Sequence, residues 1–168
     1  MAKLRRIYMV GSVATGVVFL DQVTKLIAVE YLHGRGIISF FGDTVRLLLA
    51  ENHGGFLSLG ASLPAGMRSV IFLLLTSVFL AGFTLFTLVD KNSTPAIRAS
   101  SALIIGGGVG NLLDRMFRQG AVIDFVNVGI GGLRTGIFNV ADMAVLFGCI
   151  VLLYTLLQSS RRQHHDDH

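Results

Sequence analysis

The chain has 168 residues, of which 52% are hydrophobic, only 14% are charged and none is Trp, so a water-soluble domain built from it would lack the polar surface to cover itself. It reads as an integral membrane protein, and at about 20 residues per helical crossing the length suits one domain of a few spans. The net charge of +4 comes from 14 Lys and Arg scattered in ones and twos; without a basic stripe interleaved with aromatics, nucleic acid is excluded as a partner and membrane lipids with anionic headgroups are favoured.

In chain order, MAKLRRIYMVGSVATGVVFL has the basic and apolar regions of a secretory signal peptide, but Asp21, Gln22 and Lys25 follow where a small-residue cleavage site would stand. A retained first helix over residues 7–30 is expected. An outer segment, 31–67, is too long for a simple turn; glycines punctuate it, and DTVRLLLAE suggests a short strand. Residues 68–89 contain SVIFLLLTSVFLAGFTLFTLV, free of charge, and form the second span; after the short DKNSTPAIR loop comes a third at 97–114. There the run GGGVGN lacks the Lys and Ser/Thr of a phosphate-binding loop, so its glycines are expected to permit close helix packing. A second outer segment, 115–137, holds the strand candidate AVIDFVNVGI, and the fourth span, 138–158, carries Asp142. The lone Cys149 rules out a disulfide or a cysteine metal site and reads as a buried, inert thiol. The polar end, RRQHHDDH, reads as a solvated, disordered tail. The expected fold class is an α-helical membrane protein with four transmembrane helices and a small β-sheet resting on the membrane surface.

The placement of the carboxylates is informative. Taking Arg6, Arg98 and Arg161 as markers of one membrane face and a rise of about 1.5 Å per residue, Asp21 lies roughly 22 Å away, Asp114 about 24 Å and Asp142 about 28 Å. Against a hydrocarbon core about 30 Å thick, carboxylates from different helices all reach the opposite interface. Lys and Arg divide seven and seven between the two sides, so the bare count is silent on orientation. Short basic ends and the short DKNSTPAIR loop place that side, with both termini, in the cytoplasm and the carboxylates on the outer face.

Asp142 stands about one turn inside the fourth helix, where burial of a carboxylate costs about 2.5–3.5 kcal/mol on insertion scales. Either it is a helix N-terminal charge favoured by the macrodipole, or it is a functional acid, the default for an ionisable residue in a span. Asp124 sits in a loop between apolar neighbours, AVIDFV. Two carboxylates brought close disfavour double ionisation and titrate in separated steps, which prepares a general base and a general acid together. The ionised member draws a proton from water, which attacks a carbonyl; the protonated member polarises that carbonyl and later protonates the departing amine. Other hydrolytic chemistries lack their parts, since neither HExxH nor GxSxG occurs.

Five blocks in order resemble the bacterial lipoprotein signal peptidases, the signal peptidase II family: DQVTK (21–25), NHGGFLS (52–58), GGGVGNLLDR (106–115), GAVIDF (120–125) and FNVAD (138–142). The resemblance implies a four-helix aspartyl protease of the bacterial inner membrane, with its active site on the periplasmic side beside a small sheet that cradles the substrate. It would remove signal peptides from prolipoproteins before a diacylglyceryl-modified cysteine, be inhibited by globomycin, and use neither a metal nor an organic cofactor. The family's catalytic pair falls on Asp124 and Asp142. Asn52, Asn111 and Asn139 are candidates for holding water or the substrate backbone or, equally, are satisfied structural amides; Gly54 is a supporting substrate-binding candidate, and Arg115 one for pairing with a carboxylate or orienting a loop. Asp21 and Lys25, four apart on one helix face, read as a structural ion pair, and Asp114 as structural near the site. Gly55 stands where the family usually has Ala. The alternatives are a small transporter or proton channel, whose carboxylates belong near the midplane, and a structural subunit in which Arg115, Arg118 or Arg134 neutralise both acids.

Overall fold

The four apolar runs are helices in the computed structural model, which describes residues 2–53, 64–90 and 93–166. In chain order these are α1 (Ala2–Leu32), α2 (Ala65–Val89), α3 (Pro95–Phe117) and α4 (Val140–Asp166). Each contains a stretch long and apolar enough to cross a bilayer, and the chain is a multi-pass membrane protein. Between α1 and α2 come β1 (Ile38–Phe40) and β2 (Val45–Asn52), and between α3 and α4 come β3 (Val122–Ile130) and β4 (Leu133–Arg134). All neighbours in the order β1-β2-β3-β4 pair antiparallel. The strands expected in DTVRLLLAE and AVIDFVNVGI are β2 and β3, whereas β1 and β4 were not foreseen.

The helix α3 is central: 44% of its apolar window is buried, against 11% for α2 and for α4. Its own residues explain why. Thr94 accepts from the Ile97 N–H at 3.2 Å and Pro95 opens the helix, a start that satisfies one orphan donor and omits another. Along the buried face, glycines let neighbouring backbones approach closely. A Cβ on Gly107 would lie 2.4 Å from the Ala141 carbonyl oxygen of α4, and one on Gly110 would lie 2.6 Å from Asp21 Oδ2 of α1. Gly107→Ala is therefore expected to wedge α3 from α4 at the turn that carries Asp142, lowering stability by about 1–3 kcal/mol, as overpacking does; thermal unfolding in detergent checks this. The outer faces of α2 and α4 are lined by exposed Leu, Phe, Val and Ile, as hydrocarbon contact requires.

Arg6 donates from Nη1 to the Asp90 and Leu88 carbonyls at 2.6 and 3.4 Å, so α1 begins where α2 ends. At the opposite end Gln119 and Gly120 take φ of 54° and 87°, and the Gly120 N–H bonds back to the Arg115 carbonyl at 2.9 Å. This turn throws the chain from α3 into β3, across the end of the bundle. At the far edge of the sheet, hydrogen bonds from Arg46 and Ser39 hold the Asp43 carboxyl well below the usual carboxylate range. Arg134 also donates to the Asp43 carbonyl at 2.8 Å, tying β4 to the β1–β2 turn.

Two expectations fail. Cys149 is exposed on α4 rather than buried, because an apolar run in a membrane helix can face lipid as readily as protein. The polar end is not disordered up to Asp166: α4 continues through RRQHHD, a stretch with neither Gly nor Pro to stop it.

Candidate active site

Asp142 enters the site through the start of α4. Asn139 precedes the helix, its Oδ1 accepting the Asp142 N–H at 2.9 Å while Asp142 Oδ2 accepts the Asn139 N–H at 3.1 Å. This reciprocal arrangement is a capping box with Asp in the Glu position, so the macrodipole reading of Asp142 describes its geometry. Its other oxygen does something a cap does not need: Asp142 Oδ1 accepts from Asn111 Nδ2 of α3 at 2.8 Å.

Asp124 arrives by a different route. In the β2–β3 register Ala50 stands opposite Asp124 and Asn52 opposite Val122, beside an irregularity between Leu47 and Ala50. Paired backbone bonds between Val126 and Phe138, at 2.9 and 2.8 Å, tie β3 to the residue just before Asn139. The strand acid thus meets the helix cap: Asp124 Oδ1 accepts from Asn139 Nδ2 at 2.7 Å, and Asp124 Oδ2 from Asn52 Nδ2 at 3.1 Å. Asp124, on β3 rather than in the loop expected for it, and Asp142 on α4 are both within hydrogen-bond reach of the one residue Asn139, which is 0% exposed.

Burial raises the Asp124 carboxyl from 3.8 to about 6; donation by Asn52 opposes this, repulsion from Asp142 adds to it, and donation by Asn139 and the charge of Lys25 oppose it. The charge of Asp142 thus bears on Asp124, and Asn139 joins the two acids, its side-chain nitrogen on one carboxylate and its backbone N–H on the other.

Behind them lies a buried ionic layer. Lys25 Nζ contacts Asp21 Oδ2 at 2.8 Å and Asp114 Oδ2 at 2.9 Å, all three side chains being at most 1% exposed. The expected Asp21–Lys25 pair is present, and Asp114 joins it from α3. The remaining lone pairs are met by backbone: the Ala141 N–H donates to Asp21 Oδ1 at 2.9 Å and the Ile123 N–H to Asp114 Oδ2 at 3.1 Å. Each carboxylate thus anchors the residue just before one of the acids. Gln22, which sequence reasoning passed over, bridges Asp21, the Gly110 carbonyl and Asp114 at 3.1–3.2 Å. Nothing local signals that role, because one residue along a helix points about 100° away from its neighbour. Arg118 reaches Asp114 at 3.6 Å, an i,i+4 spacing visible in the sequence.

Of the remaining candidates, Asn52, Asn111 and Asn139 all meet at the acids. Arg115 donates from Nη1 to the Asn111 carbonyl at 3.3 Å, and its charge acts on Asp142, Asp124 and Asp114. It also lines a cavity of about 510 Å³ with His53, Ser69, Val70, Leu73 and Gln119, between α2 and the end of α3. Gly54 lies outside the described residues. Among the described residues, the carboxylates of Asp124 and Asp142 accept from amides, whereas Arg118 stands on Asp114 and Arg134 on Asp43. The Arg115 charge acts on both acids without an ion pair among the described residues, and the cluster sits at one end of the bundle, not at mid-span.

Comparison with known proteins gives the family and the fold. The family model described as signal peptidase (SPase) II matches residues 13–158. A lipoprotein signal peptidase of Borrelia duttonii (strain Ly) is 36% identical over 150 residues, which is 86% of this chain and 87% of the relative. One from Borrelia garinii subsp. bavariensis is 33% identical over 157 residues, 90% and 91% of the two chains. A solved bacterial membrane enzyme, determined by the in meso method at 2.3 Å resolution, superposes with a TM-score of 0.78 at 26% identity, covering 92% of this chain and 90% of that one. Four membrane helices, a sheet laid across their end and a matching sequence over most of the length place this chain in the signal peptidase II family.

Proposed function

We propose that this chain is a single-domain aspartyl endopeptidase that removes signal peptides from prolipoproteins, cutting just before a diacylglyceryl-modified cysteine, with Asp124 and Asp142 as its catalytic pair. The observation that carries the reading is the convergence of a strand carboxylate and a helix carboxylate on Asn139. The pair holds one proton. Ionised Asp142 takes a proton from water as the water oxygen bonds to the scissile carbonyl carbon, while protonated Asp124 donates a hydrogen bond to the carbonyl oxygen. Collapse of the tetrahedral intermediate breaks the C–N bond, and a carboxyl proton passes to the departing amine. Asp124 suits the proton-bearing role because its carboxyl already titrates near 6, and a covering substrate that excludes water favours the neutral form further.

The apolar side chains of Val70 and Leu73 beside Arg115 in the cavity between α2 and the end of α3 suit a lipid-bearing peptide. Both termini lie in the cytoplasm and the acids at the periplasmic face of the inner membrane, as the short basic ends favour; globomycin-type inhibitors would occupy the same site. The purified protein is expected to cleave a diacylglyceryl-modified prolipoprotein at least about 10-fold faster than its unlipidated counterpart, a preference that roughly 1.4 kcal/mol of acyl contact would supply. Gel-resolved turnover of the two substrates decides it, and equal rates would remove the lipid from the reading.

A further inference from the structure

The donors behind the two acids fix which end of each amide faces them. Lys25 Nζ directs its hydrogens at Asp21 Oδ2, Asp114 Oδ2 and Asn111 Oδ1, at 2.8, 2.9 and 3.0 Å. An ammonium only donates, so the oxygen of Asn111 must face it. The nitrogen of the same amide then points the other way, and Asn111 Nδ2 donates to Asp142 Oδ1 at 2.8 Å. Asn139 is fixed in the same sense: its oxygen accepts the Asp142 N–H, leaving its nitrogen for Asn111 Oδ1 at 3.1 Å and Asp124 Oδ1 at 2.7 Å. Were Asn111 turned by half a rotation, its oxygen would confront a carboxylate oxygen of Asp142, and the acid would have to swing away.

We propose that Lys25 is a positioning residue of the peptidase reaction: acting through Asn111, its ammonium fixes the amide with N–H toward Asp142 and so holds that carboxylate in register with Asp124. This rests on the reading of Asp124 and Asp142 as the reacting pair. Neutralising Asp21 and Asp114 is a separate task that needs only a positive charge; fixing the amide needs a group at position 25 that donates and cannot accept. The two tasks can be separated. A merely structural Lys25 affects how many molecules fold; a positioning Lys25 affects how fast folded molecules turn over.

The test uses full-length protein in detergent micelles with a lipidated prolipoprotein as substrate. The variant K25Q/D114N removes one positive and one negative charge together and keeps Asp21 on the Ala141 N–H; Gln at 25 donates or accepts, so it no longer dictates the Asn111 orientation. The expected result is kcat lowered about 10- to 100-fold with KM within about twofold, the scale of a displaced catalytic group. Unchanged kcat in the folded protein, or a change confined to KM, overturns the proposal. Should the double variant not fold, N111D decides: its carboxylate still meets Lys25 but turns an acceptor toward Asp142. The proposal requires a similar fall in kcat, and turnover at the original rate overturns it. If unaltered protein fails to cleave, or D142N cleaves normally, the peptidase reading itself fails; if those hold and K25Q/D114N is fast, only the role of Lys25 fails.

Discussion

Asp124→Asn and Asp142→Asn are each expected to lower turnover of lipidated substrate by about 10³-fold or more, since positioned acid–base groups contribute about 10²–10⁴-fold and the two acids act as one unit. Neither variant should unfold, for in each case the isosteric amide keeps an oxygen for the Asn139 or Asn111 donor. For Asp124 the opposite is expected. An unfolded Asp loses its proton near 4, whereas folded Asp124 keeps it to about 6, so wild-type stability falls as pH rises from the first value through the second and is level beyond. Asn cannot ionise. D124N should therefore be more stable than wild type by about 1–3 kcal/mol above pH ~6, an advantage absent near pH 4. Thermal unfolding in detergent at the two pH values, paired with a cleavage assay, tests both halves: an active D124N removes Asp124 from the chemistry, and a pH-independent difference removes the burial argument.

Lys25→Met is the most damaging single change to stability, expected to cost about 3–5 kcal/mol. It leaves Asp21 and Asp114 buried without their shared cation, and both are at most 1% exposed. Gln22 and the Ala141 and Ile123 amides still donate to them and Arg118 still stands 3.6 Å from Asp114, but neutral donors and one partly exposed cation do not offset two close, buried negative charges. The loss should shrink in K25M/D114N, where one of those charges is removed with the cation. Thermal melts of the two variants in one detergent make the comparison; equal losses would mean that the ammonium contributes packing rather than charge.

Much of this architecture was legible because membrane composition is coarse and insistent. Apolar runs with few charges gave the helices, and the depth of Asp21, Asp114 and Asp142 along them put the acids at one end. Spacing also gave Asp21–Lys25. It could not give Lys25–Asp114 or the Ala141 N–H on Asp21, because contacts between helices depend on rotation and approach, which here are set by Gly107 and Gly110. The strands β1 and β4, three and two residues long, are too short for alternation to register. Cys149 shows the same limit, since composition says that a residue is apolar-flanked but not whether protein or lipid flanks it. The pairing of Asp124 with Asp142 came from resemblance to a family; their meeting through Asn139 required coordinates.

Asn139 serves the start of α4 and Asp124 with its side chain, and the Asp142 carboxylate with its backbone N–H. If the opening turn of that helix frays, the grip on both carboxylates goes with it, even while the rest of the bundle stays intact. Working rigidity is thus set locally, by how firmly a single helix end stays wound.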